Sequence, residues 1–75
     1  MQLKSLRIFC DVVRHGSFSR AAEENQLSQS AASQVVQQLE ERLGVKLIDR
    51  SKRPWVMTPE GEHYYQGCRK IVRQY

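Results

Sequence analysis

Gln29, Ser30, Ser33, Gln34 and Gln37 fall at spacings that bring them to one side of a helix. All five carry amides or hydroxyls that both donate and accept hydrogen bonds. Such a flank makes and breaks no covalent bonds. It suits a surface that shows mixed donors and acceptors, as base edges do on the floor of a DNA major groove. From Asn25 through Leu39 there is no Asp, Glu, Lys or Arg, although 27% of the chain is charged. A second cluster is of the opposite character: Lys46, Arg50, Lys52 and Arg53 stand close together against the single acid Asp49. Cations gathered in one place are what phosphate neutralisation requires. No nucleophile elbow, paired acids, glycine-rich phosphate loop or metal-ligand spacing is present, so no catalytic residue, metal ligand or cofactor is assigned. His15 and His63 have no partner at such a spacing and read as surface or packing residues.

Size and composition narrow the class. Seventy-five residues make one domain, and a chain this short buries only about 60% of its unfolded surface. A hydrophobic content of 40% is enough for one small core. No apolar run is long enough for a membrane span and no secretion signal is evident, so no membrane partner is expected. Cys10 and Cys68 lie far apart in sequence and read as reduced core thiols of a cytoplasmic protein. The net charge of +4 is unevenly placed. Residues 1–45 hold five basic and five acidic side chains, whereas residues 46–75 hold seven and three and carry the whole excess.

Several elements must position these groups. A first helix is expected from about Leu3 to Arg14, with Leu6, Phe9, Cys10 and Val13 on its apolar face and Gly16 ending it. A short second helix follows from Arg20 to Glu24, capped by Ser19, with Ala21 and Ala22 allowing a close crossing. Asn25-Gln26-Leu27 reads as a tight turn, Asn tolerating the left-handed conformation and Leu27 plugging the angle. Ser28 caps a third helix over 29–43 that stops at Gly44 and buries Ala32, Val36, Leu39 and Leu43. Two β-prone runs around Ser51-Lys52-Arg53-Pro54 predict a hairpin over 46–57. Trp55 belongs to its packing. Thr58 and Pro59 begin the last helix, along which Tyr64, Cys68, Ile71 and Tyr75 recur at helical spacing with Val72 beside them. That stripe serves a second copy of the chain, the core of the first helix, or both on different faces.

A tight turn between a short and a longer helix is the helix-turn-helix signature, and the basic hairpin makes it winged. The expected architecture is mainly α: a three-helix core, a two-stranded wing and a long C-terminal helix. Three functions compete. A reader of double-stranded DNA explains the neutral polar helix and the basic hairpin together. A winged helix used only to bind protein predicts an apolar outer face. A single-strand binder predicts aromatics interleaved with cations, and the basic stretch offers only Trp55.

Five ordered blocks then resemble one family. Ser17-Phe18-Ser19-Arg20-Ala21-Ala22, Leu27-Ser28-Gln29-Ser30-Ala31-Ala32-Ser33, Leu39-Glu40-Glu41-Arg42-Leu43-Gly44, Leu47-Ile48-Asp49-Arg50 and Thr58-Pro59-Glu60-Gly61 look like the DNA-binding domain of LysR-type transcriptional regulators. The similarity runs from about Leu3 to Tyr65. It implies a bacterial, cytoplasmic regulator that binds an inverted-repeat operator as a homodimer or higher homo-oligomer. It also implies a small-molecule effector bound by a domain after residue 75, so that the chain is a fragment. Ser28, Gln29, Ser30, Ser33 and Gln34 match the family's groove-facing positions, Arg53 its wing residue at the minor groove, and Arg50 the arginine of its Leu-Phe-x-Arg block. Ser30 stands where Pro is usual, Gln34 where Arg or Lys is common, and Ile48 where Phe is common. Residues 1–58 are thus expected to form the winged domain, with Gln37 and Lys52 adding to its DNA face. Residues 59–75 are expected to form a dimerisation helix through Tyr64, Cys68, Ile71, Val72 and Tyr75.

Overall fold

The computed structural model describes residues 3–73. Its order is α1 (Leu3–His15), α2 (Phe18–Glu24), α3 (Gln29–Leu43), β1 (Ile48–Asp49), β2 (Val56–Met57) and α4 (Pro59–Arg73). This is the expected mainly helical, winged helix-turn-helix arrangement. α1 packs against α2, α3 and α4 at once, so its buried arc is wider than one stripe. Ile8 and Val12 are fully buried beside Leu6, Phe9 and Cys10, while the expected Val13 is only half-buried. Gly16 takes the left-handed conformation (φ 63°) that ends α1.

The start of α2 differs from expectation. The cap is Ser17, not Ser19: its Oγ accepts from the Arg20 amide at 3.1 Å. Phe18 therefore becomes the first helical residue, with its ring in the core, edge-on to Trp55 at 5.6 Å. Packing of that ring decides between two serines that local chemistry ranks alike. The turn differs too. The left-handed residue is Gln26 (φ 57°), not Asn25. Asn25 is held by its side chain, whose Nδ2 donates to the Asp11 carboxylate at 3.0 Å and to the Ala21 carbonyl at 2.7 Å. Leu27 packs half-buried against the core, as the turn requires.

α3 has the expected ends. Ser28 Oγ accepts from the Ala31 amide at 3.1 Å, and left-handed Gly44 (φ 72°) closes the helix. Ala32, Val36 and Leu39 are buried and Leu43 half-buried. The wing is a short antiparallel ladder that pairs Ile48 with Met57 and Asp49 with Val56. Leu47 and Ile48 at its root are buried. Thr58 caps α4, its Oγ1 accepting from the Gly61 amide at 2.9 Å.

The face of α4 needs correction. Cys68 is only 3% exposed, and the Tyr64 ring lies tilted against Phe9 of α1, with centroids 5.9 Å apart. Val72 also packs against the chain's own core. Gly61, Tyr64, Cys68 and Val72 follow one another at helical spacing, so they form the inward arc on α1. Cys68 is thereby removed from any surface offered to a second copy. Of the expected set, Ile71 is exposed, and Tyr75 lies outside the described residues.

Candidate nucleic-acid interface

α3 buries its aliphatic arc and leaves its amide-bearing flank in solvent. Gln29, Ser30, Gln34 and Gln37 are exposed and Ser33 is half-buried. Ser28 is exposed at the helix start, its hydroxyl 3.4 Å from that of Ser30. The Ser28 hydroxyl satisfies the Ala31 amide. The Gln29 and Ser30 amides, in the first turn, have no acceptor within the helix. An uncapped pair of amides at the positive end of the dipole favours an anion such as a phosphate. Both glutamates of α3 sit in its C-terminal half, away from that end.

The wing rises beside this flank. Lys52 and Arg53 are exposed at its tip. Arg50, just past β1, turns back onto the chain. Its guanidinium lies 4.6 Å over the Phe18 ring. It donates to the Ser33 hydroxyl and, at 3.4 Å, to the Ser33 carbonyl. Two residues expected at the DNA face thus hold each other, and the wing just past β1 is tied to the N-terminal half of α3. Asp49 accepts from the Ser51 hydroxyl and, at 3.0 Å, from the Ser51 amide. The hydroxyl bond foremost, then the amide bond, holds its carboxyl below the usual carboxylate range.

Sequence reasoning missed Glu40. It is 5% exposed, and its carboxylate accepts from the Leu47 and Ile48 amides at 2.8 and 3.1 Å. A signal was present: position 40 follows Val36 by four and lies on the same buried arc. Of the histidines, His15 places its Nε2 3.0 Å from a Glu24 carboxylate oxygen. Among the described residues no three His, Cys, Asp or Glu are grouped to hold a metal ion. No described helix is long and apolar enough to cross a membrane. Burial, aided by the neighbouring Cys68, pushes the Cys10 thiol up to about 11. Cys10 is therefore a protonated packing group at neutral pH.

Comparison with known proteins places this geometry. Residues 3–62 match the family described as "Bacterial regulatory helix-turn-helix protein, lysR family". The chain is 45% identical over 73 residues to the HTH-type transcriptional activator AaeR of Escherichia coli, covering 97% of this chain and 24% of AaeR. It is 42% identical over 72 residues to the transcriptional regulator BenM of Acinetobacter baylyi, covering 96% of this chain and 24% of BenM. The chain thus spans about a quarter of the length of these relatives. Among solved structures, the BenM DNA-binding domain complexed with catB site 1 DNA superposes with a TM-score of 0.92 at 40% identity, over 99% of this chain and 80% of that one. DarR of Vibrio fischeri, in complex with DNA, gives a TM-score of 0.90 at 32% identity, over 99% of this chain and 25% of that one.

Proposed function

The chain belongs to the lysR family of bacterial regulatory helix-turn-helix proteins, and on that premise we propose that it is the sequence-specific DNA-binding part of a transcriptional regulator. α3 enters the major groove of double-stranded DNA. Gln29, Ser30, Ser33, Gln34 and Gln37 face base edges and Ser28 the phosphates, while Lys52 and Arg53 of the wing meet the backbone and minor groove alongside. Arg50 supports both from the end of β1. Residues 1–58 act as the winged domain. α4 joins a second copy through the arc that holds Ile71, and the regulator works in the bacterial cytoplasm.

The observation that carries this reading is the exposed, uncharged amide flank of α3 next to an exposed basic wing. The cations supply affinity without regard to sequence. The amides supply discrimination, and Gln in place of the family's usual cation at position 34 moves preference towards adenine, with which Gln pairs in two bonds. A winged helix that only binds protein would show an apolar outer face, and this one is polar. Selection of bound sequences from random duplexes tests the reading. It is expected to yield a two-fold symmetric consensus with half-sites one helical turn apart or a multiple of it. Recovery of unrelated sequences would overturn base reading, and an asymmetric consensus would overturn the homodimer.

A further inference from the structure

We propose that Glu40 is a positioning residue for DNA binding: its buried carboxylate fixes the wing to α3, so that the wing cations and the α3 amides meet one duplex together. The proposal rests on the DNA-binding reading above. Glu40 lies among the aliphatic residues of α3, and its Oε2 accepts from two consecutive amides, Leu47 at 2.8 Å and Ile48 at 3.1 Å. None of the ion pairs among the described residues involves it. A buried carboxylate is expensive to desolvate, and an apolar residue of similar volume is often no less stabilising. What the carboxylate adds is direction: two charge-assisted bonds that set where the backbone of 47–48 must lie.

The same segment is gripped from its other side. The Thr58 hydroxyl donates to the Lys46 carbonyl at 2.6 Å, and the Thr58 amide donates to the Leu47 carbonyl at 3.0 Å. Gly61 brings α4 against that carbonyl so closely that a Cβ there would sit 2.0 Å from the oxygen. Segment 46–48 is therefore held between α3 and the start of α4. β1 begins within it at Ile48, and Lys52 and Arg53 follow a few residues on. A tilt at 47–48 is carried outward to the tip, away from where α3 sets the DNA.

A double-mutant cycle on the 75-residue chain tests the proposal, with the selected duplex and a scrambled one titrated across a range of salt. Glu40→Met removes the acceptor at similar volume; Glu40→Gln keeps an acceptor oxygen; Arg53→Ala removes a wing cation. Wild type must first prefer the selected duplex; if it does not, the DNA-reading proposal itself fails. Given that preference, Glu40→Met is expected to weaken binding roughly fivefold to tenfold and to lower the log–log salt slope by about one unit, as loss of one phosphate contact would. The ratio of selected to scrambled affinity should change little. Glu40→Gln keeps an acceptor oxygen but loses the charge behind both bonds, so it should show a smaller, measurable loss of the same kind. In the Arg53→Ala background Glu40→Met should add almost nothing. Full additivity of the two losses, or an unchanged salt slope, overturns the proposal, because a merely structural role lowers the folded fraction without altering the slope. Should Glu40→Met not fold, as judged by circular dichroism, Glu40→Gln enters the same cycle. A shared loss then supports the proposal, and additivity or full wild-type binding overturns it.

Discussion

Arg50 sets its guanidinium 4.6 Å over the Phe18 ring and reaches Ser33 with two donors. Its charge, legible in the sequence as part of a basic patch, is engaged within the chain when DNA is absent. From sequence it reads as one of the cations gathered for phosphate. The partner found is a ring on α2, which no local pattern around residue 50 announces. Planarity matters here, since a flat cation can stack and donate at once, whereas an ammonium is a point charge on a flexible stem. Arg50→Ala should therefore destabilise the free chain by about 1 kcal/mol, within the range of one cation–π contact plus an exposed hydrogen bond. Arg50→Lys should recover little of that. The urea midpoint without DNA checks both variants. An unchanged midpoint would mean that Arg50 contributes nothing to holding the wing on α2 and α3.

At the scale of elements, the two glycines of α4 should behave in opposite ways. Gly61 faces the Leu47 carbonyl, with no room for a Cβ; Gly67 has nothing within 4 Å of the position a Cβ would take. Backbone cannot retreat as a flexible side chain can, so Gly61→Ala should cost more than about 2 kcal/mol or prevent folding. Gly67→Ala, in the interior of a helix, should stabilise by about 0.5–1 kcal/mol. Denaturant unfolding of both variants decides this, and equal effects would contradict the packing of α4 on the wing root. Both helix ends at Ser28 and Gly44, and the start of α4 at Thr58-Pro59, were readable because a cap acts over three or four residues of sequence. Ser17, Gln26 and Glu40 were not. Ser17 outcompetes Ser19 because Phe18 must enter the core, and Gln26 turns left-handed because Asn25 is tied to Asp11. Glu40 is buried because the wing root needs its two amides met. Each outcome is set by contacts between elements. The same holds for the stripe on α4, whose periodicity gave a buried face without telling which surface buries it.

Across the whole molecule, charge and information are kept apart. The first 45 residues are neutral in sum and contain the exposed amides of α3, while the last 30 carry the net +4. A duplex laid across both would draw its affinity mainly from the wing and its sequence preference from the helix. That division is the central claim, and substitution at Gln29 tests it most directly. Equilibrium binding of wild type and Gln29→Ala should be compared on the selected duplex and on a scrambled duplex of equal length at one salt concentration. The expected result is a loss of about 1–3 kcal/mol on the selected duplex, the range of one bidentate base contact, with affinity for the scrambled duplex nearly unchanged. Equal losses on both duplexes, or none on either, would contradict base reading by α3.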